Sequence, residues 1–250
     1  MQEIVLLQKI YRASTEEAEE SLTKILGDLD CNLTGLSEAE NSWIRVQVSG
    51  QDEKVALRLL EKEYGLAPVS LANVERFSTF RGRVVFSGRS RIEAFVDVGV
   101  FSPRPMYVKI PLRTLQGQLV DGRKLALQRI AEMFVLLDYA PIEVRVLRVG
   151  LETLEAELTE GQIAIFDRWV AERIDRLLVF GVSIRGVVKA IEKARLDGDV
   201  LGVESLGLLE HVVVCKLGTD AVGLVPRLGR RLGGGILGVF SPRAVLRMQG

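Results

Sequence analysis

The order of apolar runs in the first 78 residues constrains the fold most. Four runs carry the β-branched, alternating pattern of strands, and two carry the three-to-four-residue spacing of amphipathic helices. The predicted elements are a strand over 3–10, a helix from Ser14 to about Leu29, strands over 31–36 and 42–48, a helix over 51–64 and a strand over 68–74. The order strand-helix-strand-strand-helix-strand predicts a ferredoxin-like unit over residues 1–78, a scaffold that many functions share.

Residues 79–150 are rich in strand patterns separated by Gly and Pro turns. The predicted strands cover 81–86, 92–98, 106–110 and 142–149, with a helix over about 123–135. A mostly β unit of this size, with one helix before its last strand, predicts a small five-stranded OB-type barrel.

Residues 151–200 show two helical patterns. Thr159 and Gln162 form a capping box that opens a helix to about Val179, and Ser183 caps a second helix that ends near Gly198. These patterns predict a helical hairpin. A helix-turn-helix that reads DNA is the weaker alternative, because the second helix has no Asn or Gln to read adenine.

The last segment, residues 201–250, returns to strand patterns, which cover 211–216, 221–225 and 237–240. So short a segment predicts a small β-rich module that docks against another unit. The chain is therefore expected to be an α+β protein of four modules.

One hexapeptide, Gly-Val-Phe-Ser-Pro-Arg, occurs twice, at Gly99–Arg104 and at Gly238–Arg243. A duplication and a shared turn are both open explanations. The shared turn is the preferred interpretation, because Ser-Pro restricts the backbone and the arginine faces solvent.

The net charge of zero hides an alternation along the chain. Residues 1–79 carry 8 Lys+Arg against 14 Asp+Glu, and residues 80–150 carry 12 against 6. Residues 151–200 carry 7 against 10, and residues 201–250 carry 6 against 3. Because charge acts over only about 8–10 Å at cellular salt, the two basic segments are able to bind phosphate on a neutral chain.

Catalytic and metal-binding residue types are scarce. The chain has one histidine, His211, and two cysteines, Cys31 and Cys215. We therefore expect no catalytic residue, no metal and no cofactor, with His211 a strand or interface residue. Short apolar runs and the absence of a secretory signal predict a cytoplasmic protein that does not bind membranes.

The barrel segment contains the best candidates for nucleic-acid contacts. Phe95 is a candidate for base stacking on the predicted second strand, while Tyr107 and Lys109 share one face of the third strand by the two-residue period. Phe95 pointing into the barrel core is an equally open alternative. The basic candidates around the barrel are Arg89, Arg91, Arg104 and Arg113. Those of the last segment are Lys216, Arg227, Arg230, Arg231 and Arg243.

The barrel segment resembles the S-one RNA-binding motif, the OB module of the ribosomal protein of that name. The resemblance is carried by Gly82-Arg-Val-Val-Phe86, by Ile92-Glu-Ala-Phe-Val-Asp-Val-Gly99 and by Tyr107-Val-Lys-Ile-Pro-Leu112. It implies that Phe95 stacks on a base. Ile92 stands where that family has an aromatic residue and Pro111 where it has a histidine, so arginine contacts to the backbone are expected to weigh more than in that family.

The whole chain resembles an archaeal family of uncharacterised proteins, most specifically from Glu204 to His211 and from Cys215 to Pro226. Together these features predict an RNA-binding protein associated with the ribosome or with translation. Its partners would be ribosomal RNA and ribosomal proteins, and it would act by occupying a ribosomal site. The alternatives are a protein–protein scaffold and a metal-dependent nuclease built from scattered carboxylates.

Overall fold

The computed structural model describes residues 2–11, 15–85 and 90–249. Its first unit comprises β1 (Gln2–Lys9), α1 (Thr15–Leu26), β2 (Cys31–Glu38), β3 (Trp43–Gly50), α2 (Glu53–Tyr64) and β4 (Val69–Ser70). The predicted order of elements in this N-terminal unit is confirmed. Ser14, the first residue of the predicted helix, lies outside the described residues.

The N-terminal sheet has the strand order β1-β3-β2, and both helices pack on it. Residues 65–67 extend it by running alongside β1: the Leu7 amide donates to the Gly65 carbonyl at 3.0 Å, and the Ala67 amide donates to the Val5 carbonyl at 2.9 Å. The short strand β4 leaves this sheet and pairs with a strand of the next unit. The two units are therefore joined through backbone hydrogen bonds.

The second unit is a closed barrel formed by five of the described strands. It comprises β5 (Thr79–Val85), β6 (Glu93–Ser102), β7 (Met106–Pro111), α3 (Leu112–Leu119), α4 (Leu127–Phe134), β8 (Pro141–Val149) and β9 (Leu154–Leu158). Around the barrel the order is β6-β5-β8-β9-β7, closed by the pairing of β7 with β6, and β7 runs parallel to β9. This connectivity is compatible with the OB-fold that the sequence predicted.

The barrel extends past the predicted boundary at residue 150, because its closing strand β9 covers 154–158. Buried Leu154, Ala156 and Leu158 alternate with half-buried glutamates, which is the period of a strand with one face in the core. The predicted helix over 123–135 is shorter, and α3 was not predicted.

The barrel closes tightly at Gly82, where β5 approaches β6. A Cβ atom at this position would lie 2.3 Å from a methyl carbon of Val96. We expect Gly82→Ala to lower the free energy of unfolding by about 1–3 kcal/mol, since overpacking forces strands apart. Urea unfolding followed by circular dichroism measures the effect. Gly117→Ala in α3 is the control, because a Cβ atom at Gly117 would have no described atom within 4 Å. Alanine also has a higher helix propensity than glycine. Equal stability of the two variants would contradict this account.

The third unit begins with α5 (Glu160–Glu172) and continues through β10 (Arg176–Phe180), α6 (Ile184–Ala194), β11 (Val200–Ser205), β12 (Glu210–Cys215), α7 (Ala221–Gly229), β13 (Ile236–Phe240) and α8 (Pro242–Gln249). None of the helices in the described part of the chain is long and apolar enough to span a membrane.

The predicted helical hairpin over 151–200 is wrong. Residues Arg176–Phe180, which the predicted first helix of the hairpin largely included, form the fully buried strand β10 between β12 and β13. An uninterrupted apolar run has no periodicity that distinguishes a buried strand from a buried helix. The helix was therefore predicted to continue to about Val179, whereas α5 ends at Glu172.

The predicted β-rich module over 201–250 is also wrong as a separate unit. Its strands join β10 in a sheet of order β11-β12-β10-β13, and α6 and α7 pack on one face. The order β10-α6-β11-β12-α7-β13 repeats that of the N-terminal unit. The predicted strand 221–225 belongs to α7, because Ala221, Leu224 and Leu228 are buried at helical spacing.

The two copies of the hexapeptide do not form the same turn. The first ends β6 and turns directly into β7, with Gly99 at a positive φ of 78°. The second runs along β13 and then starts α8 at Pro242. The shared-turn interpretation is therefore wrong, and the copies share only a strand end.

Candidate nucleic-acid interface

The outer wall of the barrel is formed by β6 and β7. Phe95 pairs in register with Lys109, and Asp97 pairs with Tyr107. The residues between them on each strand are buried, whereas Phe95, Tyr107 and Lys109 are partly exposed. The prediction that Tyr107 and Lys109 share one face is confirmed, and Phe95 lies on the wall rather than in the core.

Phe95 and Lys109 form an aromatic–cation pair on this wall. The Lys109 Nζ atom lies 6.0 Å from the centre of the Phe95 ring and 3.6 Å from a carboxylate oxygen of Glu93. The side chains of Lys109 and Glu93 are about one-third exposed, so their ion pair contributes little free energy. A partly exposed ring beside a cation is the arrangement that binds a base and its phosphate in OB folds.

The N-terminal unit covers the neighbouring part of the wall. The Asp97 carboxylate is buried; the Lys9 ammonium lies 2.7 Å from one of its oxygens, and the Trp43 indole N–H donates to the other at 3.1 Å. Tyr107, the register partner of Asp97, therefore lies at the border of this contact. The partly exposed residues of the predicted surface are Phe95, Lys109 and, at this border, Tyr107.

The Lys9–Asp97 pair is held in a desolvated environment. Burial lowers the pKa of Lys9, and the charge and hydrogen bond of Asp97 oppose that shift. The ammonium also lies 4.2 Å from the centre of the Trp43 ring, and it donates to the Asn41 carbonyl. Such a buried cation requires its anion, so the pair fixes β1 and β3 against β6.

A second buried ion pair joins the barrel to the third unit. Arg83 on β5 contacts both carboxylate oxygens of Glu210 on β12 at 3.3 Å, and both side chains are at most 1% exposed. Arg83 also donates to the Gln8 amide oxygen at 3.1 Å, and the Tyr11 hydroxyl donates to Glu210 at 2.7 Å. Burial and the nearby carboxylate raise the pKa of Tyr11 well above its ordinary value. All three units therefore meet at one polar cluster.

The predicted arginines border the wall at both of its ends. Arg91 precedes β6 and Arg113 lies in the first turn of α3; both are exposed. Arg104 lies in the turn between β6 and β7, 3.8 Å from Glu152 in the β8–β9 loop. Arg89 lies outside the described residues.

The predicted cations of the last segment lie on the third unit and not on the barrel. Lys216 donates to the Asp197 carbonyl at 3.2 Å, and Arg227 donates to the Ala194 carbonyl at 3.0 Å. These two side chains hold α6 and its following loop. Arg230, Arg231 and Arg243 are exposed. The structure does not bring this group together with Phe95 and Lys109, and a role in RNA binding stays a prediction.

His211 is buried in β12, beside Ser205 of the paired strand β11. The Ser205 hydroxyl lies 3.2 Å from His211 Nδ1, and burial lowers the pKa of the imidazole. Burial also raises the pKa of the Cys215 thiol to about 11. Within residues 2–11, 15–85 and 90–249 no three His, Cys, Asp or Glu side chains are grouped as metal ligands.

The residues that hold the three units against one another were not singled out from the sequence: they are Lys9, Trp43, Arg83 and Glu210. A signal existed, since each of the three charged residues interrupts an apolar strand pattern. Charged side chains are almost never fully buried without a partner. Such interruptions indicate that an opposite charge lies across an interface, but they do not identify it.

Comparison with known proteins gives matches at both ends of the chain. Residues 3–70 match the DUF2110 N-terminal domain, and residues 174–240 match the DUF2110 C-terminal domain. The two ranges correspond to the first and third units and together cover just over half of the chain. No curated protein matches the sequence.

Proposed function

We propose that this chain, which belongs to the DUF2110 family through its two matched domains, binds single-stranded RNA on the outer wall of its barrel and catalyses no reaction. The observation that carries the proposal is the partly exposed Phe95 ring with the Lys109 ammonium 6.0 Å from its centre. The closed barrel is compatible with the OB-fold, and OB folds stack bases on aromatic side chains of the strands that form this wall.

The RNA would run along β7. At one end of that strand lie Arg104 and the loop that carries Leu151, which is 85% exposed. At the other end lie Arg91 and Ile92, the latter 68% exposed. Basic and apolar side chains at both ends suit a ligand with alternating phosphates and bases, and OB folds hold roughly 4–16 nucleotides.

The finer proposal is that this RNA is ribosomal and that the protein acts by occupying a ribosomal site. Its support is the likeness of the barrel segment to the S-one module of a ribosomal protein. A second basic surface on the third unit, including the exposed Arg230 and Arg231, would raise the effective concentration of the barrel at its RNA. Absence of the protein from ribosomal fractions of both growing and starved cells would reject the ribosomal role but not RNA binding on the wall.

Fluorescence anisotropy with a labelled single-stranded RNA tests the wall. We expect Phe95→Ala to weaken binding about 5- to 150-fold, because a stacked base contributes about 1–3 kcal/mol. Lys109→Gln should reduce the slope of log affinity against log salt by about 0.7, the loss of one phosphate contact.

Phe77→Ala is the matched control, because Phe77 is also an exposed ring, 56% accessible, with the Arg76 guanidinium 4.5 Å from its centre. Phe77 precedes β5 and is not part of the wall formed by β6 and β7. Equal losses for Phe95→Ala and Phe77→Ala would refute the wall as the binding site. RNA affinity that does not depend on salt, or no affinity at all, would favour a protein–protein scaffold, and cleavage of the RNA with Mg²⁺ would favour a nuclease.

A further inference from the structure

A cavity of about 240 Å³ lies in the third unit, where the end of α5, the loop before α7 and the start of α8 meet. Three arginines line it: Arg173 caps α5, and Arg243 and Arg247 lie one turn apart on α8. Of these three arginines, only Arg243 was a candidate from the sequence.

The three guanidiniums have no hydrogen bond or ion pair with any residue that the structure describes. All three arginines are exposed at the mouth of the cavity, whereas the buried cations Lys9 and Arg83 each have a carboxylate partner. Like charges gathered in a concave site repel each other and attract an anion. The three arginines therefore have no ion-pair partner among the described residues.

Two carboxylates also line the cavity, but both have other partners. Asp175 accepts hydrogen bonds from the Ser241 hydroxyl at 2.9 Å and from the Ala221 amide at 3.3 Å. Asp220 caps α7 by accepting from the Val222 amide at 2.9 Å. These bonds hold the cavity walls together and leave three cations against two anions.

The start of α8 adds a favourable partial charge. Pro242 is its first residue, and the hydroxyl of Ser241 precedes it at the cavity wall. The N-terminal end of a helix attracts anions, and guanidiniums bind phosphate oxygens through paired N–H donors. Thr219 contributes a second hydroxyl to the lining.

We propose that this cavity binds a phosphate monoester group. Its volume is below the roughly 300–1,000 Å³ of pockets that enclose drug-sized ligands, so it would take the phosphate and leave the rest of the ligand outside. A terminal phosphate presents three acceptor oxygens to these donors, whereas the diester of an RNA backbone has only two that are not bonded to carbon. The site is separate from the barrel wall and does not depend on RNA binding there.

Isothermal titration with inorganic phosphate and with adenosine 5′-monophosphate tests the proposal. We expect Arg243→Ala/Arg247→Ala to weaken binding of both about 10- to 100-fold, since hydrogen bonds to charged groups contribute about 1.5–3 kcal/mol. Lys189→Ala/Lys193→Ala removes two exposed charges from α6 of the same unit and should leave the affinity unchanged. Thermal unfolding of each variant in chloride verifies folding. Arg247→Lys keeps the charge but loses the paired donors, and should fall between wild type and the double variant.

The source of the phosphate is distinguished by two RNA oligonucleotides with a 5′-phosphate or a 5′-hydroxyl, titrated into the Phe95→Ala variant. Preference for the phosphorylated end that depends on Arg243 and Arg247 identifies an RNA terminus. No preference, with adenosine monophosphate still bound, identifies a small phosphorylated ligand. The proposal is overturned if neither phosphate nor the nucleotide binds, or if both double variants weaken binding equally.

Discussion

Replacement of Arg83 by methionine is expected to lower the free energy of unfolding by about 3–5 kcal/mol. The change leaves the Glu210 carboxylate fully buried without its cation. It also leaves the Gln8 amide oxygen without the 3.1 Å hydrogen bond from the guanidinium. A buried charge without a partner costs more than the ion pair itself contributes, so the effect should far exceed that of a surface pair.

A double-mutant cycle separates the ion pair from loss of packing. Arg83→Met/Glu210→Gln removes both charges but keeps an acceptor for the Tyr11 hydroxyl, and it should recover a large part of the loss. Urea unfolding of wild type, both single variants and the double variant gives the coupling free energy. Additive losses, with no coupling between the two positions, would contradict an ion pair that holds the barrel to the third unit.

Limited proteolysis of Arg83→Met shows which segment of the chain becomes accessible when the ion pair is lost. Because Arg83 lies on β5 and Glu210 on β12, Arg83→Met should expose α5, which links the barrel to β10, to cleavage before the barrel itself opens. Uniform cleavage over the whole chain would mean that the change unfolds the barrel rather than its contact with the third unit.

Local patterns predicted most of the first two units, because each element there has one apolar face. The burial of β7 alternates at every residue from Met106 to Pro111, which is the period that identified it. The third unit failed where this period is absent. In Arg176–Phe180 every side chain is buried, and α7 contains valines and a proline that disfavour helices. Only the neighbouring strands and helices decide such segments.

Some features of the candidate site were likewise predictable from local sequence patterns, and others were not. That Tyr107 and Lys109 share a face follows from strand alternation and was predictable, whereas the sequence left open whether Phe95 faces the core. That Asp97 is covered by Lys9 and Trp43 depends on contacts between residues 54 and 88 positions apart, which no local pattern contains. In the cavity of the third unit, Arg173 is likewise distant in sequence from Arg243 and Arg247, and α8, which carries the latter two, was not predicted.

Replacement of Asp97 by asparagine should lower the free energy of unfolding by about 3–5 kcal/mol at neutral pH, because it leaves the Lys9 ammonium buried without an anion. Asparagine has nearly the same shape and still offers an oxygen to the Trp43 indole, which now donates at 3.1 Å. Loss of charge is therefore the main change. Glu155→Gln is the control, because loss of the solvent-accessible pair of exposed Arg148 and half-buried Glu155, 3.7 Å apart, should cost less than about 1 kcal/mol.

The same variant should become less unstable as the pH rises. Burial already lowers the pKa of Lys9 from 10.5, and removal of Asp97, which raises it, lowers it further. Between the folded pKa and 10.5 the unfolded chain binds more protons than the folded one, so stability increases with pH by up to about 1.4 kcal/mol per unit. The pH range over which stability increases is wider in Asp97→Asn than in wild type. The difference in free energy of unfolding between the two proteins should therefore shrink from pH 7 toward pH 10.

Unfolding in urea at several pH values, for wild type and Asp97→Asn, measures this difference directly. Lys9→Met/Asp97→Asn removes the titrating group and should both regain stability and lose the extra pH dependence. A stability difference between Asp97→Asn and wild type that stays constant from pH 7 to pH 10 would mean that Lys9 is not the cause. The contact between the N-terminal unit and the barrel would then depend on Trp43 and its packing rather than on the ion pair.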